Sequence, residues 1–261
     1  MKKDYHMHPL VAREPGRFDA FAQRALALGI EEVCITDHMP LSTSRAGDRI
    51  PVGCVKEYCR AVRRIGKRYE GRLSVRLGIE IDYHPDFTDE IEAVLKAGDY
   101  DFVLGSSHLH VGQSDIFRQV STWNEYAHAA LENSLLAAQS GYFDAIAHLD
   151  MYRWIFTRPE RFPLVEDDYS PERHAGLIDR VLDAIRDGGL RLEINPHLAV
   201  LEENVESAYP HPFILRRALE KRLRFSYGSD AHEPAHVGAM LAELRAHPVY
   251  GQALAAWEAE Q

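Results

Sequence analysis

The amino-acid sequence predicts an α/β protein built on a mostly parallel β-sheet. Seven short runs of apolar and β-branched residues recur along the chain, and segments of helical periodicity lie between them. Such alternation is typical of parallel strands joined by helical crossovers. Because no Ser/Gly/Pro-rich linker and no fixed-period repeat interrupts the pattern, we expect a single domain over residues 1–261. Periodicity alone does not distinguish a closed barrel from an open sheet.

The strands are predicted from short apolar runs such as EVCIT and SVRLGIE. They cover 4–7, 32–36, 74–80, 102–107, 143–148, 190–195 and 223–228. The helices are predicted where apolar residues recur every three to four positions. They cover 18–29, 55–71, 88–98, 123–141, 170–189 and 211–222, with a final amphipathic helix within 247–261. Gly29, Gly71 and Gly188 close three of these segments, and glycine is preferred just past a helix C-terminus.

Composition and charge argue against a nucleic-acid-binding protein, a disulfide-rich protein and a membrane protein. The chain is 46% hydrophobic and 27% charged, and its formal net charge of −10 disfavours binding to nucleic acid. Its three cysteines, Cys34, Cys54 and Cys59, form no CxxC pair, so we expect neither a disulfide scaffold nor a cysteine zinc site. A reducing cytoplasm is the expected compartment. We find no signal peptide and no apolar stretch of about 18 residues, and therefore expect no membrane partner.

The first chemical signal is the HMH triplet that ends the first predicted strand. Residues i and i+2 of a strand point to the same face, so His6 and His8 are expected to converge on one side. Two convergent imidazoles suit one metal ion, but a single HxH motif is weak support, because such motifs also occur by chance.

Every other predicted strand also ends in imidazole or carboxylate groups. The residues at the seven strand ends are His6 and His8; Asp37 and His38; Glu80 and Asp82; His108 and His110; His148 and Asp150; Glu193 and Asn195, followed by His197; and Asp230 and His232. In a parallel barrel these ends share one face, where active sites lie. Histidine and carboxylate without cysteine suit Zn²⁺, Mn²⁺ or Fe ions, and the number of candidate ligands exceeds the needs of one ion.

Six of these segments, in chain order, resemble the polymerase and histidinol phosphatase (PHP) family. They are HMH, TDH, GIEID, SSH, AHLD and GSDAH, and the resemblance runs from His6 to about Val237. Longer stretches are similar to the histidinol-phosphate phosphatase branch of that family: TDHMP, DRI, GIEIDYHP, YDFVLGSSH, LEINPH and GSDAHEPAHVG.

The resemblance implies a distorted (β/α)7 TIM-like barrel of the PHP type with two to three divalent metal ions, Zn, Mn or Fe, in a trinuclear centre. By motif, the first ion has the ligands His6, His8, Glu80 and Asp230. The second has Glu80, His108 and His148, with Glu80 bridging, and the third has His38 and His232. A residue of the loop after the first strand completes the third site in the family. This chain departs from the usual histidine or aspartate there, and Glu14 is the nearest candidate.

The resemblance further implies hydrolysis of a small phosphate monoester, with histidinol phosphate, a metabolite of histidine biosynthesis, as the expected substrate. Asp230 or His232 is expected to pass a proton to the leaving alkoxide. Four loop arginines are candidates for binding the phosphate, because guanidinium groups match its geometry. They are Arg49, Arg118, Arg158 and Arg161. His110 is a candidate for orienting the substrate, and Asp37, Asp82 and Asp150 are expected to support neighbouring ligands by hydrogen bonds.

Three alternatives remain open at this stage. The enzyme could act on another metabolite or nucleotide phosphate. An amidohydrolase that cleaves carbon–nitrogen bonds also places HxH on its first strand, but it often uses a lysine on a middle strand, and no lysine stands at the strand ends named above. A non-catalytic metal-holding domain is the third alternative. One sequence chooses neither the metal nor the oligomeric state.

Overall fold

The strands run parallel around a nearly closed barrel in the computed structural model, which describes residues 2–14, 16–39, 52–109 and 116–260. They are β1 (Lys3–Asp4), β2 (Glu32–Ile35), β3 (His38–Met39), β4 (Ser74–Asp82), β5 (Phe102–Ser106), β6 (Ala145–Ile146), β7 (Arg191–Ile194) and β8 (Arg224–Tyr227). Seven of them pair in the order β1-β2-β4-β5-β6-β7-β8, while β3 continues past β2 and pairs with the end of β4. All seven predicted strands are thus confirmed.

The barrel closes between β8 and the segment that follows β1. The amide of Tyr5 donates to the carbonyl of Tyr227 at 2.9 Å, and the amide of Asp230 donates to the carbonyl of His6 at 2.8 Å. The buried carboxylate of Asp4 accepts from the amide of Ser229 at 2.8 Å. Periodicity did not distinguish a closed barrel from an open sheet. These bonds show that the first and last strands of the sheet, β1 and β8, meet along one side of the barrel.

The six predicted helices are present, and the C-terminal tail forms a helix as expected. The helices are α1 (Phe18–Ala27), α2 (Val55–Tyr69), α3 (Thr88–Ala97), α4 (Ile116–Gln119), α5 (Trp123–Gln139), α6 (Tyr152–Phe156), α7 (Ala175–Asp187), α8 (His197–Glu202), α9 (Pro212–Glu220), α10 (Leu241–Ala246) and α11 (Tyr250–Ala259). The sequence did not predict α4, α6, α8 and α10, because helices of four to six residues are too short to establish a helical period.

Helix α2 illustrates how the outer layer attaches to the sheet. It buries Tyr58, Val62 and Ile65, which recur at the spacing of one helical face, and packs against β4. The hydroxyl of Tyr58 donates to the carbonyls of Ile35 and Gly78 at 3.0 and 2.7 Å, so the helix is also tied to the backbone of two strands.

The inward-facing side chains of the barrel change character along its axis. Cys34, Leu104 and Ala145 form a small apolar cluster that is separate from the larger core between sheet and helices. Above it on β4, Glu80 and Asp82 follow the inward-facing Gly78 at two-residue intervals. The small apolar cluster therefore fills the barrel interior below the site, and the polar residues lie above it at the carboxyl ends of the strands. In the described part of the chain, no helix is long and apolar enough to cross a membrane.

Candidate metal centre

Glu80 lies at the centre of the polar cluster, and its two oxygens face different histidines. Its Oε2 atom lies 2.6 Å from Nδ1 of His38 and 3.3 Å from Nε2 of His6. Its Oε1 atom lies 3.1 Å from Nε2 of His148 and 3.8 Å from Nε2 of His108. This fully buried carboxylate thus has histidine nitrogens around both of its oxygens, and a carboxylate in such a position can serve as a metal ligand.

His6, His8 and Asp230 form a second group next to Glu80. The Nε2 atoms of the two histidines are 2.9 Å apart, and Oδ1 of Asp230 lies 3.1 Å from Nε2 of His8. Asp230 adopts a left-handed backbone conformation with φ of 53°, and His148 has φ of 21°. Such conformations are costly for non-glycine residues and are concentrated at functional sites, where the surrounding structure enforces them.

A third group joins His8 to His38 and His232. The His8 ring stacks on the His38 ring at 4.1 Å between centroids and lies 4.4 Å from the His232 ring. One nitrogen from each of the three residues lies within 4.8 Å of the others, a separation compatible with shared coordination of an ion. His232 is half-buried and stands at the solvent side of the cluster.

Carboxylates behind the histidines fix the orientation of their rings. Oε1 of Glu193 lies 2.6 Å from Nδ1 of His6, and Oδ1 of Asp82 lies 2.5 Å from Nδ1 of His108. Each contact directs the opposite ring nitrogen, Nε2, toward Glu80. This is the arrangement that sets the tautomer of metal-binding histidines in proteins. The prediction that Asp82 supports a neighbouring ligand is confirmed as a contact.

Glu80, Asp230 and His8 have the protonation states that binding of a cation needs, whereas neighbouring carboxylates raise the pKa of His6 and His148. Burial alone would raise the pKa of Glu80, but His38 and His6 outweigh it and hold the pKa well below its usual range. Asp230 behaves in the same way, with His6 as the leading neighbour. Burial and the neighbouring His38 lower the pKa of His8 well below its ordinary value. Ionised carboxylates and neutral imidazoles are the forms that bind metals.

The donor set also fits metal ions by its chemistry. It consists of imidazole nitrogens and carboxylate oxygens, which suit Zn²⁺, Mn²⁺ and Fe ions. Among the described residues, Nδ1 of His8 is a buried polar atom without a hydrogen-bond partner. A buried nitrogen left in this way costs free energy unless some other group satisfies it.

Eight of the nine predicted metal ligands lie together in this cluster. They are His6, His8, His38, Glu80, His108, His148, Asp230 and His232. The structure does not bring Glu14 into any of these groups. Its side chain is exposed, and its backbone belongs to a turn in which its amide donates to Leu10 and its carbonyl accepts from Arg17. The loop therefore carries Glu14 away from His38 and His232, and His8 takes its place beside them.

Two of the predicted supporting residues serve other contacts. Asp37 accepts from the amides of Leu10 and Val11 at 2.8 and 2.9 Å, so it fixes the loop after β1 instead of a neighbouring histidine. Asp150 was also expected to support a neighbouring metal ligand by a hydrogen bond, and this expectation is wrong. It accepts from Nε of Arg153 at 2.7 Å and from the amide of His211 at 2.9 Å.

The predicted substrate-binding residues lie in different environments, and two of them fall outside the part of the chain that the structure describes. Arg49 and His110 lie outside the described residues. Arg118 is exposed on α4. The guanidinium of Arg158 lies 4.2 Å from the ring centroid of Trp154 and donates to the Trp154 carbonyl, while Arg161 is exposed and lies 5.8 Å from the same ring.

Sequence reasoning did not include His197 and Arg17 in the predicted site. Nδ1 of His197 lies 3.7 Å from Oδ2 of Asp230, and His197 forms a group with Asp230 and His232. Its position just after the sixth predicted strand end was the signal that could have found it. Arg17 donates to the carbonyl of His232 at 2.6 Å. No local spacing indicates this contact, because 215 residues separate the two partners.

A parallel barrel with a buried histidine and carboxylate cluster at the carboxyl ends of its strands defines a class of metal-dependent hydrolases. The sequence profile of the PHP domain matches residues 4–197, and the chain belongs to the PHP domain family. A Deinococcus radiodurans protein named probable histidinol-phosphatase is 35% identical over 248 residues, which cover 92% of this chain and 90% of that protein. Within the family, this relative identifies the chain as a member of the histidinol-phosphatase branch.

Two further comparisons agree with this assignment. The histidinol-phosphatase of Bacillus subtilis is 29% identical over 91% of this chain and 96% of its own length. The crystal structure of histidinol phosphate phosphatase from Lactococcus lactis, complexed with Zn, L-histidinol and phosphate, is similar with a TM-score of 0.75. That similarity covers 97% of this chain and 93% of the other at 19% sequence identity, and it confirms the barrel fold.

Proposed function

We propose that this chain is a metal-dependent phosphoric monoester hydrolase that converts histidinol phosphate to histidinol and inorganic phosphate. The observation that carries the proposal is the buried cluster around Glu80, in a chain whose relatives are named histidinol-phosphatases. The clustering of ionisable groups with displaced pKa values at one end of the barrel is typical of a reaction centre.

The residues divide naturally among two to three divalent ions. His6, His8, Asp230 and Oε2 of Glu80 would hold one ion, and His108, His148 and Oε1 of Glu80 would hold a second. A third would be held by His38 and His232, with the ring of His8 beside them. When bound, such ions neutralise charge on the phosphate oxygens and activate water for attack on phosphorus.

The identity of the ions follows from the donor chemistry. Imidazole nitrogen and carboxylate oxygen suit Zn, Mn and Fe, and the Lactococcus lactis neighbour is complexed with Zn. We propose Zn²⁺ as the first ion to test, with Mn²⁺ and Fe²⁺ as alternatives, since selectivity depends on geometry and metal supply.

His232 is the proposed carrier of the proton for the leaving group, and Asp230, whose pKa is held well below its usual range, is proposed to orient it. Oδ1 of Asp230 lies 3.5 Å from Nδ1 of His232, and the Nδ2 group of Asn195 lies 3.3 Å from Oδ2 of the same carboxylate. His232 is the more exposed of the two, so its ring can reach a substrate that enters from solvent. A protonated group at this position would give its proton to the histidinol oxygen as the bond to phosphorus breaks.

Substrate recognition is proposed to combine the ions with a cation at the rim of the barrel. Among Arg118, Arg158 and Arg161, Arg158 is the strongest candidate, because its guanidinium group packs on the ring of Trp154 and donates to the Trp154 carbonyl. Guanidinium groups bind phosphate through paired hydrogen bonds. We expect replacement of Arg158 to raise the KM for a phosphate ester.

Phosphate release from a panel of metabolites tests the function. The purified protein, loaded with Zn²⁺ or Mn²⁺, is expected to release inorganic phosphate from histidinol phosphate faster than from nucleotides or sugar phosphates, and to lose this activity with a chelator. A wide preference for a nucleotide would contradict the substrate assignment. His148→Ala should lower both metal content and turnover, whereas His128→Ala, on an exposed helical face, should change neither.

A further inference from the structure

The segment Ala208–His211 places a buried tyrosine ring beside His148 of the candidate metal centre. Tyr209 has no solvent exposure, and its ring lies edge-on to the ring of His148 at 6.3 Å between centroids. Among the described residues, its hydroxyl is one of four buried side-chain groups without a hydrogen-bond partner. Leaving such a group unpaired is unfavourable, so the hydroxyl is free to donate to a further partner.

The backbone around this hydroxyl is held firmly. Tyr209 exchanges two hydrogen bonds with Asn195, at 2.9 and 2.7 Å, and Asn195 itself contacts Asp230. Arg153 donates to the carbonyl of Ala208 at 2.7 Å, and the amide of His211 donates to Asp150 at 2.9 Å. Groups that bind a substrate tightly are usually held by surrounding contacts in this way.

A tyrosine hydroxyl carries its proton at neutral pH, and burial raises the pKa of Tyr209 further above its ordinary range. A protonated phenol is a hydrogen-bond donor, and the non-bridging oxygens of a phosphoryl group are acceptors only.

We propose that the Tyr209 hydroxyl donates a hydrogen bond to a phosphoryl oxygen of the bound substrate. The proposal rests on the proposed function for the identity of the substrate. It assigns Tyr209 as a substrate-binding residue contributed by the segment after α8, outside the strand-end motifs from which the site was predicted.

The change Tyr209→Phe removes only the hydroxyl, and Tyr58→Phe is its matched control. Tyr58 is also fully buried, but its hydroxyl already donates to two backbone carbonyls on the outer side of the barrel wall. We expect Tyr209→Phe to lower kcat/KM for histidinol phosphate about tenfold to hundredfold, the usual effect of losing a hydrogen bond to a charged group. Its Tm should stay equal or rise. Tyr58→Phe should lower Tm and keep kcat/KM within about twofold of the wild type.

Phosphate affinity and metal content distinguish the loss of one hydrogen bond from damage to the metal centre. Tyr209→Phe should weaken the binding of inorganic phosphate to the metal-loaded protein, measured by calorimetry, by a factor similar to its loss of kcat/KM. Its metal content should equal that of the wild type. Unchanged phosphate affinity, unchanged kcat/KM or loss of metal would each overturn the proposal. If the wild type releases no phosphate from histidinol phosphate, the proposed function fails, and the calorimetric comparison still decides the role of Tyr209.

Discussion

Nδ1 of His6 lies 2.6 Å from Oε1 of Glu193, although 187 residues separate them in the chain. The other oxygen of Glu193 accepts the backbone amide of His148 at 2.8 Å. One buried carboxylate thus positions two residues of the candidate metal centre, His6 through its ring and His148 through its backbone. Burial alone would lower the pKa of His6, but Glu193, Asp230 and Glu80 raise it well above its ordinary value.

Replacement of Glu193 by glutamine is expected to weaken metal binding. The amide cannot provide the same charge to His6, and partners of this kind typically contribute a factor of about 10 to 100 in metal affinity. Metal titration of the variant and the wild type measures the effect. Glu32→Gln is the matched control, since Glu32 is also buried but pairs with Arg76 at the opposite end of the barrel. Equal metal affinity in Glu193→Gln and wild type would show that His6 needs no such support.

A single methyl group at Gly228 is expected to disrupt the same pair. A Cβ atom there would lie 2.2 Å from Cβ of His6 and 2.4 Å from Oε1 of Glu193, closer than real contacts allow. We expect Gly228→Ala to lower the free energy of unfolding by about 1–3 kcal/mol, as overpacked cores do, and to reduce metal content. Chemical denaturation and elemental analysis measure the two effects.

Gly176→Ala provides the control for that substitution. Gly176 lies in α7, and a Cβ atom there would meet nothing within 4 Å. Because alanine favours helix over glycine, stability should stay equal or rise by up to about 1 kcal/mol. A Gly228→Ala variant as stable and as metal-rich as Gly176→Ala would contradict the close approach seen at Gly228.

Substitutions of Glu14 and His232 should differ in their effect on the proposed third metal site. Glu14→Ala is expected to leave metal content unchanged, because Glu14 is exposed and belongs to none of the ligand groups. His232→Ala should lower the metal content by up to one ion per chain and reduce turnover, because His232 shares a group with His8 and His38. Elemental analysis after reconstitution distinguishes them, and loss of an ion in Glu14→Ala would restore the ligand role that the sequence suggested.

Asp4 is expected to give the metal-free protein a characteristic pH dependence. Burial raises the pKa of Asp4 from 3.8 to about 6. A carboxyl whose pKa is raised by folding binds its proton more tightly in the native state, so its contribution is present below about pH 4 and is lost as the pH rises through about 6. This change corresponds to about 3 kcal/mol.

Denaturation of chelator-treated protein between pH 4 and 7 measures this contribution by comparing wild type with Asp4→Asn. The asparagine variant cannot ionise at this position, so the wild-type free energy of unfolding should fall relative to that of the variant as the pH rises. Parallel curves across that range would mean that Asp4 keeps an ordinary pKa in the folded protein.

The local sequence determined the fold class, the longer helices and most of the candidate metal ligands. Periodicity predicted the parallel α/β architecture and the longer helices, because these depend on neighbouring residues. The side-chain alternation of a strand was enough to expect His6 and His8 on one face, and the motifs marked eight residues, Glu80 among them, that the structure brings together.

Tertiary structure decided the rest, because the remaining contacts join residues that are distant in the chain. Closure of the barrel depends on bonds between the segment after β1 and β8. The division of histidines between the two oxygens of Glu80, and the support of His6 by Glu193, follow from how seven strand ends meet. The loop conformation that moves Glu14 outward, and the packing that buries Tyr209 beside His148, likewise have no local period or spacing to reveal them.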